Sequence, residues 1–136
     1  LAAELGLADR VRFTGAVKHS EAMGELSGCE AVFLLSKPHE NGGGAEGLGL
    51  CLLEGAARSV VPVGCHTGGI PEAVGPGLVL TDPDDIAASV AEIRRGLTPG
   101  LGARCQAWVR RHHGTSRAVD SLVNGATGSR PASLGE

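Results

Sequence analysis

Aromatic residues are scarce in this chain of 136 residues: it holds Phe13, Phe33 and Trp108 and no tyrosine. The formal net charge is −3. Without stacking aromatics and without a basic balance, the sequence argues against a nucleic-acid-binding surface. The core must come from Val, Leu, Ile and Ala, which suits buried parallel strands covered by Ala-rich helices.

Long apolar runs are also missing. No window approaches the roughly 18 consecutive apolar residues of a membrane-spanning helix, so we expect no such span. A signal peptide with a basic n-region is absent too. The expected location is therefore the cytoplasm, and a location at the inner face of the membrane stays open as an alternative. The first residues, LAAELGLADRV, are typical of the end of a helix already under way, which indicates a fragment of a longer protein.

Paired cysteine motifs do not occur. The four cysteines are widely spaced: Cys29, Cys51, Cys65 and Cys105. None forms a Cys-x-x-Cys pair, and two of them lie in apolar runs. We therefore expect buried free thiols in a reducing compartment.

What the chain does contain is a regular alternation of predicted strands and helices. The predicted strands are residues 11–13, 30–36, 60–65 and 77–80; the predicted helices are 20–27, 48–59, 82–96, 101–112 and 116–123, with a short helix in 66–74. This alternation predicts an α/β fold: a Rossmann-like parallel sheet with helices on both faces. The domain is predicted to cover residues 1–123, and residues 124–136, which are small, polar and aperiodic, are predicted to form a flexible tail.

Several local details of these elements are also predicted. Ser20 is expected to cap the first helix, with Glu21 in its first turn, and Asp82 to open the helix 82–96. Pro62 indicates a strand at a sheet edge or near a strand start. The continuous apolar run 30–36 predicts a strand buried on both faces.

The glycine-rich loop before the second long helix allows two interpretations. Gly42, Gly44 and Gly47 spell Gly-x-Gly-x-x-Gly, the dinucleotide-binding fingerprint. That fingerprint requires its first glycine directly after the strand and an acid about 20 residues past the glycines. Here five residues intervene after the strand, and no acid stands at the required distance. The dinucleotide hypothesis is therefore disfavoured.

The second interpretation uses two carboxylates, Glu46 and Glu54, with seven residues between them. Gly47 and Gly49 flank the predicted helix start, whose free N–H groups and positive dipole end favour a phosphate. The two acceptor oxygens of Glu54 match the two hydroxyls of a ribose diol. Glu46 lies at the phosphate end, where an attached sugar would hang. The pattern predicts a site for a nucleoside-diphosphate sugar.

The same residues resemble a known family. EGLGLCLLEGAA, VPVG and TGGIPEAV, in this order, are similar to the donor-binding C-terminal half of GT-B glycosyltransferases of the retaining family-four type. DRVRFTGAV and EAMGELSGCEAVFLLSKP match as well, so the resemblance runs from about residue 5 to residue 95. Two departures stand out: Gly55 replaces the usual Ala, and Ser59 stands where a helix-ending Gly is common.

The resemblance implies a role for each site residue. Glu46 would hold the transferred sugar as the catalytic residue, and Glu54 would hold the ribose. The remaining donor-binding residues are Gly47, Leu48, Gly49 and Leu50 for the pyrophosphate, and Gly15 and Val17, with the segment between them, for the base. Gly68, Gly69 and Glu72 would border the pocket.

The resemblance also implies a reaction. A UDP-, GDP- or ADP-sugar would donate its sugar, with retention, to a hydroxyl of an unknown glycan, lipid or small-molecule acceptor. No metal or other cofactor is expected. In the family, an Arg and a Lys on an earlier loop neutralise the leaving pyrophosphate, and an N-terminal domain binds the acceptor. Both lie outside this chain, so we expect little transfer by the chain alone.

Alternatives remain open at the level of function: a non-catalytic nucleotide-binding or interaction domain, a sugar-nucleotide epimerase or a phosphorylase on the same scaffold. Asp82-Pro-Asp84 spells the Asp-x-Asp of metal-dependent transferases, yet a helix start explains it better. His112 and His113 point about 100° apart on a helix and are expected at the surface near its C-terminus. The loop residues His39 and His66 match no family position.

Overall fold

The computed structural model describes residues 1–37 and 46–114 of the chain. The three strands of this part are β1 (Ala31–Leu34), β2 (Val61–Cys65) and β3 (Leu78–Leu80). The α-helices are α1 (His19–Leu26), α2 (Leu50–Ala56), α3 (Ile70–Val74), α4 (Ile86–Gly96) and α5 (Leu101–His112), with a 3-10 turn at Ala8–Arg10. The predicted helix 116–123, the predicted tail 124–136 and the residues Gly42, Gly44 and His39 lie outside the described residues.

The three strands form one parallel sheet in the order β1-β2-β3. Ala31 pairs with Val61 in one ladder, and Val63 pairs with Leu78 in the other. Every residue of β2 is buried, and helices pack around the sheet. This arrangement confirms the predicted Rossmann-like α/β fold, and it places the carboxyl ends of all three strands along one edge.

Pro62 occupies the second position of the central strand, so its expected place at a sheet edge is wrong and its place near a strand start is confirmed. The outer strand β1 differs from expectation in another way. It is only half-buried, and 49% of Phe33 is exposed, although the apolar run predicted burial on both faces. Within the described residues β1 has a neighbour on one side only, which leaves its other side open.

The predicted strand 11–13 does not form. Val11 has extended backbone angles, but no strand of the described residues pairs with this segment, and 85% of Phe13 is exposed. The first residues form hydrogen-bonded turns instead of the predicted helix end, with Leu5 N donating to Leu1 O at 2.9 Å. An extended conformation becomes a strand only with a partner, and local sequence does not supply one.

The helix starts differ from the predicted caps. Lys18, not Ser20, is the N-cap of α1, and Glu21 reaches back to accept from the Lys18 N–H at 3.2 Å. Asp85, not Asp82, caps α4 by accepting from Ala88 N at 2.9 Å. The satisfied N–H group belongs to the N-cap residue in α1 and to the first turn in α4, and in both helices the capping residue differs from the predicted one.

Helix α2 is shorter than predicted and packs tightly on the sheet. Leu52, Leu53 and Ala56 are buried in the core. A Cβ atom placed on Gly55 would come within 2.5 Å of Val32 Cγ1, so the glycine allows α2 to approach β1 closely. Ser59, which follows the helix, has a φ of 65°, the left-handed conformation in which glycine is usual.

The outer strand β3 ends at a charged side chain. Thr81 N, directly after the strand, donates to Glu92 Oε2 of α4 at 3.1 Å. Hydrogen bonds from the Thr81 backbone and side chain lower the pKa of Glu92. The Glu92 carboxylate therefore accepts from the first backbone N–H after β3, an outer strand of the sheet in the part of the chain that the structure describes.

We expect Gly55→Ala to destabilise the domain, because its new Cβ would clash with Val32. The free energy of unfolding should fall by about 1–2 kcal/mol, since overpacking costs about 1–3 kcal/mol and helix propensity returns at most about 1 kcal/mol. Urea denaturation measures the change. Val32→Ala in the same chain should recover most of the loss by making room for the methyl group.

Gly24→Ala in α1 is the matched control, because a Cβ there meets nothing within 4 Å. This variant should be neutral or stabilising. If Gly55→Ala and Gly24→Ala change the unfolding free energy alike, the close approach of α2 to β1 is not what demands glycine at residue 55.

Candidate functional site

Two loops meet at the carboxyl edge of the sheet, where ligands bind in α/β folds. Gly69 N donates to Glu46 O at 3.0 Å. A Cβ atom on Gly68 would lie 2.1 Å from Glu46 O, and one on Gly69 would lie 2.1 Å from Gly47 O. We call this contact between residues 46–48 and 68–69 the glycine clasp. Only glycine fits at residues 68 and 69.

The Glu46 side chain folds onto the start of α2. Its Oε1 accepts from Gly49 N at 3.3 Å, and the side chain is half-buried. Gly49 is the N-cap of α2 and has a φ of 73°, a left-handed conformation. This hydrogen bond holds the carboxylate beside the glycine clasp. Its second oxygen remains as an acceptor for a ligand hydroxyl.

Glu54 lies one turn further along α2, with 35% of its side chain exposed. Its Oε1 lies 3.6 Å from Nε2 of His19, the first residue of α1. Gly15, with a φ of 65°, and Val17 immediately precede this helix. The segment that the resemblance places against the base thus leads into the helix that approaches the expected ribose residue.

His19 is the site neighbour that the sequence did not reveal. It lies 35 positions before Glu54, and no periodicity links residues on different elements. Its place two residues after the segment 15–17 was the available signal, because the resemblance assigns that segment to the nucleotide.

The other predicted site residues lie around the clasp. Gly47 is exposed, Leu48 is half-buried and packs against the core, and Leu50 is 66% exposed at the first position of α2. Glu72 is exposed in the first turn of α3, three residues after Gly69. The ligand roles of these residues remain predictions.

The charged residues beside the same sheet edge pair with each other. Lys37, which follows β1, forms an ion pair with Asp84, which follows β3. Asp82 accepts from the Asp84 N–H at 3.0 Å. Across residues 1–37 and 46–114, no three His, Cys, Asp or Glu side chains come together in a group that could hold a metal ion.

The remaining histidines lie near their expected places. His66 is exposed after β2. His112 ends α5 and stacks on Trp108 at 5.0 Å between ring centroids, while His113 is the C-cap. The expectation that the pair lies near a helix C-terminus is confirmed, and the expected surface exposure holds for His113 but not for His112, which is half-buried.

The cysteines are free thiols, but they are not all buried. Cys65 and Cys105 are buried, Cys51 is half-buried, and Cys29 is exposed, which corrects the expected burial. Cys51 lies in the first turn of α2, between the two carboxylates of the site. Burial raises its pKa, and the charges of Glu46 and Glu54 raise it further.

Comparison with known proteins identifies relatives of this chain. The sequence profile of the family described as "Glycosyl transferases group 1" matches residues 1–111. Two proteins of Mycobacterium tuberculosis, from strains CDC 1551 / Oshkosh and ATCC 25618 / H37Rv, are each 34% identical in a 116-position alignment that covers 80% of this chain. Both are named GDP-mannose-dependent alpha-(1-6)-phosphatidylinositol monomannoside mannosyltransferase. The chain spans about 30% of the length of these relatives.

None of the helices within the described ranges combines the length and the apolar character needed to cross a membrane.

The raised pKa of Cys51 predicts slow alkylation. The thiolate is the reactive form, so at pH 8 iodoacetamide should modify Cys51 more slowly than the exposed Cys29. Glu54→Gln removes a negative charge that raises the Cys51 pKa, so the rate at Cys51 should increase. Peptide mass spectrometry over a time course measures both rates.

Glu30→Gln serves as the control, because Glu30 precedes β1 at the opposite end of the strands. It should leave the Cys51 rate unchanged. Equal rates at Cys51 in the parent chain and in Glu54→Gln would contradict a charge effect of Glu54 on the thiol.

Proposed function

The chain belongs to the glycosyl transferases group 1 family, and from this premise we propose that it forms the donor-binding part of a glycosyltransferase that uses a nucleoside-diphosphate sugar. The observation that carries the proposal is the glycine clasp, which holds the Glu46 carboxylate at the start of α2 while Glu54 projects one turn further on. One carboxylate before the helix start and one on the helix suit a ligand with hydroxyls at both ends and phosphates between.

In this proposal each side chain keeps the role that the pattern suggested. Glu54 accepts hydrogen bonds from the ribose diol, and Glu46 accepts from a hydroxyl of the transferred sugar. The backbone of residues 47–50 lies against the pyrophosphate. The left-handed Gly49 and the absence of side chains on Gly47 and Gly49 support such an approach of phosphate to backbone.

The names of the relatives narrow the substrates. Both are described as GDP-mannose-dependent and as acting on a phosphatidylinositol monomannoside. We therefore propose GDP-mannose as the first donor to test, ahead of UDP- and ADP-sugars, and a lipid-linked glycan as acceptor. A lipid-linked acceptor would place the reaction at the inner face of the membrane.

The proposed reaction is a transfer with retention. The acceptor hydroxyl attacks the anomeric carbon, the bond from that carbon to the diphosphate oxygen breaks, and the nucleoside diphosphate leaves with the bond electrons. The acceptor proton passes to the departing phosphate oxygen. Positioning by Glu46 and Glu54, with charge stabilisation of the leaving group, supplies the rate enhancement.

The charge of the leaving pyrophosphate would be stabilised by positively charged side chains and not by a metal ion. Lys37 is paired with Asp84, and it matches no family position. We propose that an Arg and a Lys from a part of the full-length protein outside this sequence contact the pyrophosphate, and that another domain binds the acceptor. The 136 residues alone should then transfer little or no sugar.

The proposal predicts the effects of two isosteric substitutions in the full-length protein. Glu54→Gln should weaken binding of GDP about 10- to 100-fold, because hydrogen bonds to a charged acceptor are worth about 1.5–3 kcal/mol. Glu46→Gln should change GDP affinity less than about twofold but lower sugar transfer at least about tenfold. Isothermal calorimetry with GDP, UDP and ADP and a radiolabelled transfer assay measure the two effects.

Glu30→Gln, at the far end of the sheet, is the matched control and should alter neither quantity. Unchanged affinity in Glu54→Gln would refute the assignment of this residue to the ribose. Tight nucleotide binding without transfer to any lipid or glycan acceptor would favour a non-catalytic nucleotide-binding domain.

A further inference from the structure

We propose that His19 is a second ribose ligand, and that its imidazole and the Glu54 carboxylate bind the same ribose hydroxyl. This inference rests on the proposed function, because it names a further residue and a substrate feature of the same donor site. The pairing joins residues on α1 and α2 that are 35 positions apart in sequence.

The distance between the two groups carries the inference. His19 Nε2 lies 3.6 Å from Glu54 Oε1, which is too long for a direct hydrogen bond. One hydroxyl oxygen that lies about 2.9–3.0 Å from His19 Nε2 and about 2.7–2.8 Å from Glu54 Oε1 closes a triangle over this gap. The two atoms are therefore close enough for one hydroxyl oxygen to contact both.

The chemistry of the two groups is complementary toward a hydroxyl. The carboxylate only accepts hydrogen bonds, so the hydroxyl must donate its proton to Glu54. An imidazole with a proton on Nε2 donates, so the same oxygen accepts from His19. The hydroxyl thus donates to Glu54 and accepts from His19, so the two residues do not compete for the same part of the hydroxyl.

Both side chains are open to a ligand. The side chain of His19 is 72% exposed and that of Glu54 is 35% exposed. The neighbouring Arg58 donates through Nη1 to the backbone oxygen of Glu54 at 3.1 Å, so it leaves the carboxylate oxygens of Glu54 to other donors. The pair is an accessible donor and acceptor 3.6 Å apart.

The consequence is selectivity for an intact ribose. A nucleoside diphosphate with both the 2′- and the 3′-hydroxyl gives Glu54 two donors and gives His19 one acceptor. Removing the bridging hydroxyl abolishes the His19 bond entirely and leaves Glu54 one remaining donor. The site should therefore distinguish ribonucleotides from one of the two deoxyribonucleotides through His19.

The experiment is a binding series by calorimetry on the full-length protein, with GDP as the first probe and UDP and ADP in parallel. His19→Ala should lower the affinity for the nucleotide about three- to tenfold, which corresponds to the loss of one hydrogen bond. His19→Gln, which keeps an N–H donor, should recover part of the loss. With either the 2′-deoxy or the 3′-deoxy nucleotide, His19→Ala should have no further effect.

Lys18→Ala is the matched control, because it removes a positive charge from the neighbouring residue and leaves the imidazole in place. It should not change nucleotide affinity. An equal loss in Lys18→Ala and His19→Ala would show that charge at the start of α1 governs binding, and it would overturn the bridging role.

The outcomes separate this inference from the proposed function. If Glu54→Gln weakens binding but His19→Ala does not, the role of His19 is wrong and the donor site stands. If His19→Ala lowers the affinity for both deoxynucleotides as much as the affinity for the ribonucleotide, the proposal that His19 and Glu54 share one hydroxyl is wrong. If none of the three nucleotides binds, the proposed function fails, and this inference fails with it.

Discussion

The site depends on a contact between two stretches of backbone. In the glycine clasp, the Gly69 N–H donates to Glu46 O. The two backbone segments approach so closely that a methyl group at residue 68 or 69 would collide with a carbonyl oxygen. The loop that carries Glu46 and the turn after β2 therefore behave as one unit. Because α2 begins immediately after this loop, the clasp also sets where Glu54 projects.

Much of the fold followed from local signals in the sequence. Helix α5 has the predicted bounds, β2 and β3 differ from prediction by one residue at one end, and α3 forms where Gly-Gly-x-Pro-Glu indicated a short helix. These elements carry their own periodicity or turn residues. The predictions that failed concern either strand pairing, which depends on distant residues, or a choice between neighbouring residues for one capping position. The segment 11–13 has no strand partner among the described residues, and at α1 and α4 a neighbouring residue, Lys18 or Asp85, took the capping position.

The part of the site whose residues are close in sequence was predictable. Glu46, Gly49 and Glu54 belong to a continuous stretch, so their spacing could be interpreted directly. His19 and the tight fit of Gly55 against Val32 could not be found this way, because each depends on how two elements pack. The substitution of Gly for Ala at residue 55 thus has a packing reason that helix propensity alone would not suggest.

The Glu92 carboxylate at the end of β3 has a consequence for how copies of this domain behave together. An uncovered strand edge is a template for edge-to-edge aggregation, and natural proteins place charges there to prevent it. Another strand that approached β3 would have to displace an ionised group from the Thr81 N–H. Since those hydrogen bonds lower the pKa of Glu92, the charge is retained at mildly acidic pH. Among the described residues β3 has a strand neighbour on one side only, and a charge held directly after the strand is the kind of feature that opposes edge-to-edge pairing.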